Sequence, residues 1–123
     1  MVGCSAGLYR SLDGGEHWEL IGFEESEVWQ IRASQHRIWI STQPAGLYYS
    51  DDDGATWNDV VAFNEAPERD SWCIPVDPIL PGRARALVIN RVNPDQLLVG
   101  VEVGGIMRSE DGGASWAMVL PGD

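Results

Sequence analysis

Glu65, Glu68, Arg69, Asp70 and Trp72 fall within eight consecutive residues, and carboxylates beside a guanidinium and an indole are groups that can grip or cut a sugar. Two carboxyl groups flanking a glycosidic bond hydrolyse it when one is the acid and the other the nucleophile or base. Glu68 with Asp70, or Glu102 with a carboxylate of the 65–70 segment, are the pairs with that chemistry. Trp72 and Arg69 offer surfaces that stack on a sugar ring or a peptide. The competing reading is structural: Trp72 and Ile74 tuck under their neighbours as a lid while Glu65, Glu68, Arg69 and Asp70 face water. No Ser/His/Asp constellation stands out, since His17 and His36 both fall in turns, and no glycine motif that cradles phosphate occurs. Asp51, Asp52, Asp53 and Gly54 open like a calcium loop, but Ala62 stands where that loop needs its Glu. Cys4 and Cys73 lack the spacing of a zinc site and are read as small apolar residues, with a bridge between them left open. The residues therefore imply no metal and no cofactor.

Whatever these residues do, a repeated unit must position them. One twelve-residue pattern occurs three times, from Gly7 to Trp18, Gly46 to Trp57 and Gly105 to Trp116. Within it, Ser11, Asp13, Gly15 and Trp18 correspond to Ser50, Asp52, Gly54 and Trp57, and to Ser109, Asp111, Gly113 and Trp116. The Trp-to-Trp spacings are 39 and 59 residues, near the ~40–50 residues of one propeller blade. Each residue has a physical reason to stand there. The Asp accepts hydrogen bonds from backbone N–H groups further round the turn, the Gly takes positive φ without a Cβ clash, the Ser bridges the turn from its other side, and the Trp pins it by burying a large ring. Thr56 and Ser115 add a second hydroxyl, which His17 replaces in the first copy.

Short apolar stretches bounded by Gly, Pro and Asp clusters recur, and no 3.6-residue stripe persists. The second unit reads as strands over 28–33, 37–42, 47–50 and 57–63, with a bulge or one-residue slip at Asn58 and Asp59. The third reads as strands over 85–91, 96–102, 106–109 and 116–120, and the first as 2–5, 8–11 and 17–21, which makes eleven. Turns as short as Ser34 to His36 and Asn93 to Asp95 permit only antiparallel pairing. The fold class is therefore all-β, a partial β-propeller of about three four-stranded antiparallel blades with the first incomplete. Its expected units are 1–22 (incomplete blade), 23–63 (second blade), 64–83 (insertion loop) and 84–123 (third blade). In such meanders the twelve-residue turns share one side of the disc. Gln43, Glu102, residues 22–27 and the insertion gather on the other, which makes Gln43 and Glu102 further binding candidates.

Composition narrows the partners. Eight basic residues, all Arg, stand against nineteen acidic ones, a formal net charge of −11, and a phosphate backbone is repelled by that field. Nucleic acid is excluded, and no apolar run is long enough to span a bilayer. Glu24, Glu25 and Glu27, the densest carboxylate run, read as a solvated loop. No signal peptide is present in this segment, and no compartment is assigned.

The three Ser-Asp-Gly-Trp frameworks resemble Asp-boxes, the bacterial-neuraminidase repeats found in sialidases, some endo-glucanases, sortilin-type receptors and photosystem II assembly factors. The stretch from Arg91 through Asn93, Pro94 and Asp95 to Gly100 is similar to a turn and strand common in that superfamily. The resemblance covers nearly the whole chain except about 64–82 and implies a propeller of about six to eight blades. It implies little about activity, because owners of Asp-boxes do unrelated things. Sialidases open with a Phe-Arg-Ile-Pro strand that is absent here; Arg37, Ile38 and Trp39 depart from it at the proline and fall on a second strand. The expected function is a non-catalytic scaffold for a protein or carbohydrate partner, the alternative a fragment of an exo-glycosidase. Eleven strands cannot close a ring, so the remaining blades of a longer chain, or self-association, are expected to complete it.

Overall fold

The computed structural model describes every residue except 6, 25, 35–36, 67–72, 75–79, 82–83, 102–104 and 120–123. Strands β1 (Val2–Cys4), β2 (Gly7–Arg10) and β3 (Glu19–Gly22) form one antiparallel sheet. Strands β4 (Glu27–Ser34), β5 (Arg37–Gln43), β6 (Gly46–Ser50) and β7 (Asn58–Asp59) form the second, in that order. A one-turn helix α1 (Val61–Asn64) and a hairpin of β8 (Cys73–Ile74) with β9 (Leu80–Pro81) follow. The third sheet is β10 (Ala84–Ile89), β11 (Leu97–Val101), β12 (Gly105–Ser109) and β13 (Ala117–Val119). Three meanders thus stand side by side, with β4 lying against both β1 and β10.

Register makes the units equivalent residue by residue. Ile40 pairs with Tyr48 and Val99 with Met107, each pair at the same step of its repeat. Period-2 alternation then sends one set of side chains toward the preceding sheet and the other toward the following one. Val28, Ile40, Tyr48 and Trp57 of the second sheet meet Leu8 and Ile21 of the first. Trp39, Leu47 and Val60 meet Leu87, Val99 and Met107 of the third. Leu8, Leu47 and Ile106 occupy one repeat position that faces the following sheet, and their exposures are 0%, 0% and 46%. Leu98 and Val88 share the open face with Ile106 and are exposed too.

Two expectations are corrected. The strand read over 57–63 stops at Asp59, and the slip read at Asn58 and Asp59 is a strand end followed by a helical turn. Val60 N–H still bonds Leu47 O at 3.1 Å, but Asn64 N–H turns back to Val60 O at 2.9 Å. The Asn64 amide then does what a continuing strand would have done, accepting from Leu47 N–H at 2.8 Å and donating to Leu47 O at 3.0 Å. This turn drops Phe63 into the interior between the second and third sheets. The 64–83 insertion also contains β8 and β9, so thirteen strands, not eleven, occur among the described residues.

Candidate functional site

Each twelve-residue turn closes on its carboxylate. Ser11 Oγ donates to Asp13 Oδ1 at 2.8 Å and accepts from Gly15 N–H at 2.8 Å, while Asp13 Oδ1 also accepts from Glu16 N–H and His17 N–H at 3.0 and 2.9 Å. Ser50 with Asp52 and Gly54, and Ser109 with Asp111 and Gly113, repeat the serine's two bonds within 0.1 Å. The second carboxylate oxygen accepts from the Thr56 hydroxyl in the second copy and from Ser115 Oγ at 2.5 Å in the third. In the first copy His17 Nδ1 takes that place, 2.5 Å from Asp13 Oδ2. An ionised Asp13 can only accept, so Nδ1 is the donor. Gly15, Gly54 and Gly113 have φ of +99°, +91° and +95°. The residue before each is left-handed as well, which Asp53 achieves at φ +61° without being glycine.

These turns are also joints between sheets. A Cβ on Gly113 would stand 3.2 Å from the Trp39 ring, and one on Gly54 would overlap Met1. Trp57 packs edge-on to Phe23 with centroids 5.5 Å apart, and Trp116 does the same to Phe63 at 5.3 Å. In both cases the phenylalanine lies just beyond the preceding sheet's last strand. Trp18 has no such ring partner among the described residues and is 48% exposed. The expectation that each turn buries its indole is met in part at Trp57 and Trp116, which are half-buried, and is corrected for Trp18, because no described sheet stacks on that side of the first one.

The three carboxyls sit low, at about 2 against an ordinary 3.8. For Asp13 the main cause is the His17 N–H, for Asp52 the Thr56 hydroxyl, and for Asp111 the Ser115 hydroxyl. Because the folded value lies below the unfolded one, the stabilisation is full above about pH 4 and is lost as pH falls through about 2. The melting temperature is expected to drop over that window, and an Asp52→Asn, Asp111→Asn double variant to show a shallower drop. Identical acid slopes for variant and parent would refute this linkage.

Of the residues singled out for chemistry, Glu68, Arg69, Asp70, Trp72 and Glu102 lie outside the described residues. Glu65 is exposed just past α1. Gln43 ends β5, half-buried and opposite Glu27 in register. Glu65 and Gln43 are therefore placed on separate elements. Asp13, Glu16 and His17 bring ligand atoms within 4.8 Å of one another. All three are exposed, and both Asp13 oxygens are already engaged in closing the turn.

Sequence reasoning passed over a cleft of 410 Å³ between the second and third sheets, on the side of the disc that carries the Ser-Asp-Gly-Trp turns. It is lined by Ser34, Arg37, Trp39, Asp51, Asp95 and Gly112, among others. Arg37 forks onto Asp51, with Nε to Oδ1 at 2.8 Å and Nη2 to Oδ2 at 3.1 Å, and its guanidinium lies 3.9 Å from the centroid of Tyr49. The Asp51 bond raises the Arg37 pKa further. Gly112 N–H bonds Asp95 O at 3.0 Å, tying the two turns of the third sheet together. A second cleft of 370 Å³ shares Arg37 and Gly112. The signal was present in the repeat: register aligns Arg37, Tyr49 and Asp51 with Gln96, Arg108 and Glu110 of the third unit, so the stacked, forked arginine of the second unit is not repeated in the third.

Antiparallel meanders stacked face to face, the second and third each with its Ser-Asp-Gly-Trp turn lodged against the sheet before it, define a segment of an Asp-box β-propeller. A family model described as photosynthesis system II assembly factor YCF48 matches residues 1–121, and the chain belongs to that family. It is similar to a sialidase of Bacteroides fragilis, 28% identical over 157 aligned positions that take in 91% of this chain and 28% of the sialidase. Among solved structures it is similar to YCF48 bound to D1 peptide, with a TM-score of 0.58, 26% identity, and 94% of this chain against 34% of that one. The GH74 xyloglucanase from Xanthomonas campestris matches in fold, with a TM-score of 0.58, 24% identity, and 76% of this chain against 15% of that one. The chain thus spans about a third or less of the length of these relatives.

Proposed function

We propose that this chain is part of a non-catalytic propeller scaffold that binds a protein partner through an extended peptide and serves assembly rather than turnover. The observation that carries this reading is the family match over residues 1–121, joined by likeness to a propeller solved with a peptide bound. The Ser-Asp-Gly-Trp residues act in it as structural corners: their hydroxyls and carboxylates are consumed by the turn, which leaves them no group to react. Glu65, Glu68, Arg69, Asp70, Trp72, Gln43 and Glu102 remain candidates for partner contact. Units 1–22, 23–63 and 84–123 act as successive blades, with 64–83 as an insertion between the second and third. The exposed Ile106, Leu98 and Val88 at one end and Trp18 at the other are the halves of a joint seen mated twice within the molecule, so further blades or a second copy complete the ring.

The experiment is a titration of the intact protein with the D1 peptide alongside a panel of fluorogenic glycosides, sialosides included, with solution mass measured on the same preparation. Saturable peptide binding without glycoside turnover is expected. Turnover above that of a Glu68, Asp70 and Glu102 triple variant would overturn the reading in favour of a glycoside hydrolase. A solution mass equal to these 123 residues alone, with a cooperative melt, would remove the need for ring closure.

A further inference from the structure

We propose that the cleft between the second and third sheets, on the side of the disc that carries the Ser-Asp-Gly-Trp turns, is a binding site for a neutral sugar, distinct from the peptide-binding role. Arg37 is held flat by Tyr49 and forked onto Asp51, which spends two of its five N–H groups. The other three have no acceptor among the described residues, and Arg37 lines the cleft together with Trp39 and Asp95. Asp95 bonds through its backbone, and its carboxylate has no described donor. The lining of the cleft thus offers donors from Arg37, an acceptor from Asp95 and the Ser34 hydroxyl, which can do either.

A vicinal diol answers that arrangement, because each hydroxyl donates and accepts at once and two stand side by side on one ring. An extended peptide presents its donors and acceptors on alternating sides of the chain and matches it less well. Charge selects among sugars. Asp51 neutralises Arg37, leaving Asp95 as surplus negative charge in a chain of net charge −11, so a carboxylated sugar is repelled and a neutral one is not. The volume of 410 Å³ lies within the ~300–1,000 Å³ typical of small-ligand sites. Arg37 also departs from the repeat, since the corresponding residues Gln96, Arg108 and Glu110 carry no forked and stacked arginine.

The test is an NMR titration of the intact protein with neutral methyl pyranosides, with N-acetylneuraminic acid and with an uncharged peptide, read at the Arg37 Nε–H and the Trp39 indole N–H. Saturable shifts with at least one neutral pyranoside, and none with the acid or the peptide, are expected. Asp95→Asn, on an exposed turn, and Arg37→Gln are each expected to weaken that binding by about tenfold. Should Arg37→Gln fail to fold, Asp95→Asn carries the test. No shift from any neutral pyranoside, equal shifts from the acid or the peptide, or unchanged affinity in Asp95→Asn would overturn the proposal. Absence of pyranoside binding, or unchanged affinity in Asp95→Asn, leaves the D1-peptide titration as it was, so the two readings fail separately.

Discussion

Phe63→Ala is expected to destabilise the protein by about 3–5 kcal/mol, read as a shift in the urea midpoint followed by tryptophan fluorescence. Phe63 is fully buried, sits in the cluster that joins the second and third sheets, and packs edge-on to Trp116 at an interplanar angle of 70°. Truncation removes the transfer energy of a whole ring, leaves a cavity in a joint that the rigid sheets cannot collapse to fill, and forfeits the aromatic pair, itself worth about 0.5–1.5 kcal/mol. Phe23 makes the equivalent contact with Trp57 but is only half-buried, so Phe23→Ala should cost clearly less. Equal costs at the two positions, or a loss below about 1 kcal/mol for Phe63, would show that α1 does not lodge this ring between the sheets.

Asn64→Leu is the second large effect, expected at about 2–4 kcal/mol although the replacement is apolar and of similar size. The Asn64 side chain accepts from Leu47 N–H and donates to Leu47 O and to Asp59 Oδ1, and both Asn64 and Leu47 are buried. Leucine leaves the Leu47 amide unsatisfied where water does not reach, while Leu47 O keeps its bond from Val60 N–H. Most of the penalty therefore falls on one donor. Hydrogen exchange is the direct check: the Leu47 amide should lose its protection by more than the global loss of stability explains. If its exchange tracked the global value, the Asn64 bridge would carry no local energy. Phe63 and Asn64 are neighbours on one helical turn, so their effects should not add when the two changes are combined.

Both predictions rest on α1, which the residue pattern misread as part of a strand. Val60, Val61 and Phe63 are strong strand formers, and nothing local marks Asn64 as a substitute for strand pairing; only the approach of Leu47 from β6 does so. The Ser-Asp-Gly-Trp turns are the opposite case. Ser, Asp and Gly bond one another across four residues, so type and spacing were enough to locate the turns and, through their period, the sheets between them. The left-handed Asp53 was not anticipated, because Asp tolerates that conformation only where the turn imposes it. The forked Arg37 escaped notice for another reason: its partners Tyr49 and Asp51 lie on the neighbouring strand and its turn, and Asp95 lies on the next sheet.

By itself the sequence determined an all-β repeat, the place and internal bonding of its turns, and the antiparallel order of the strands between them, since each depends on residues a few positions apart and on a repeated period. Tertiary structure alone decided which indole finds a ring to rest on, where a strand gives way to a helical turn, and how an arginine is clamped over a cleft. Those outcomes turn on what the neighbouring sheet presents across the joint. A chain carries its local hydrogen-bonding partners in its own order, but it reveals the partners of its outward faces only when the sheets are stacked.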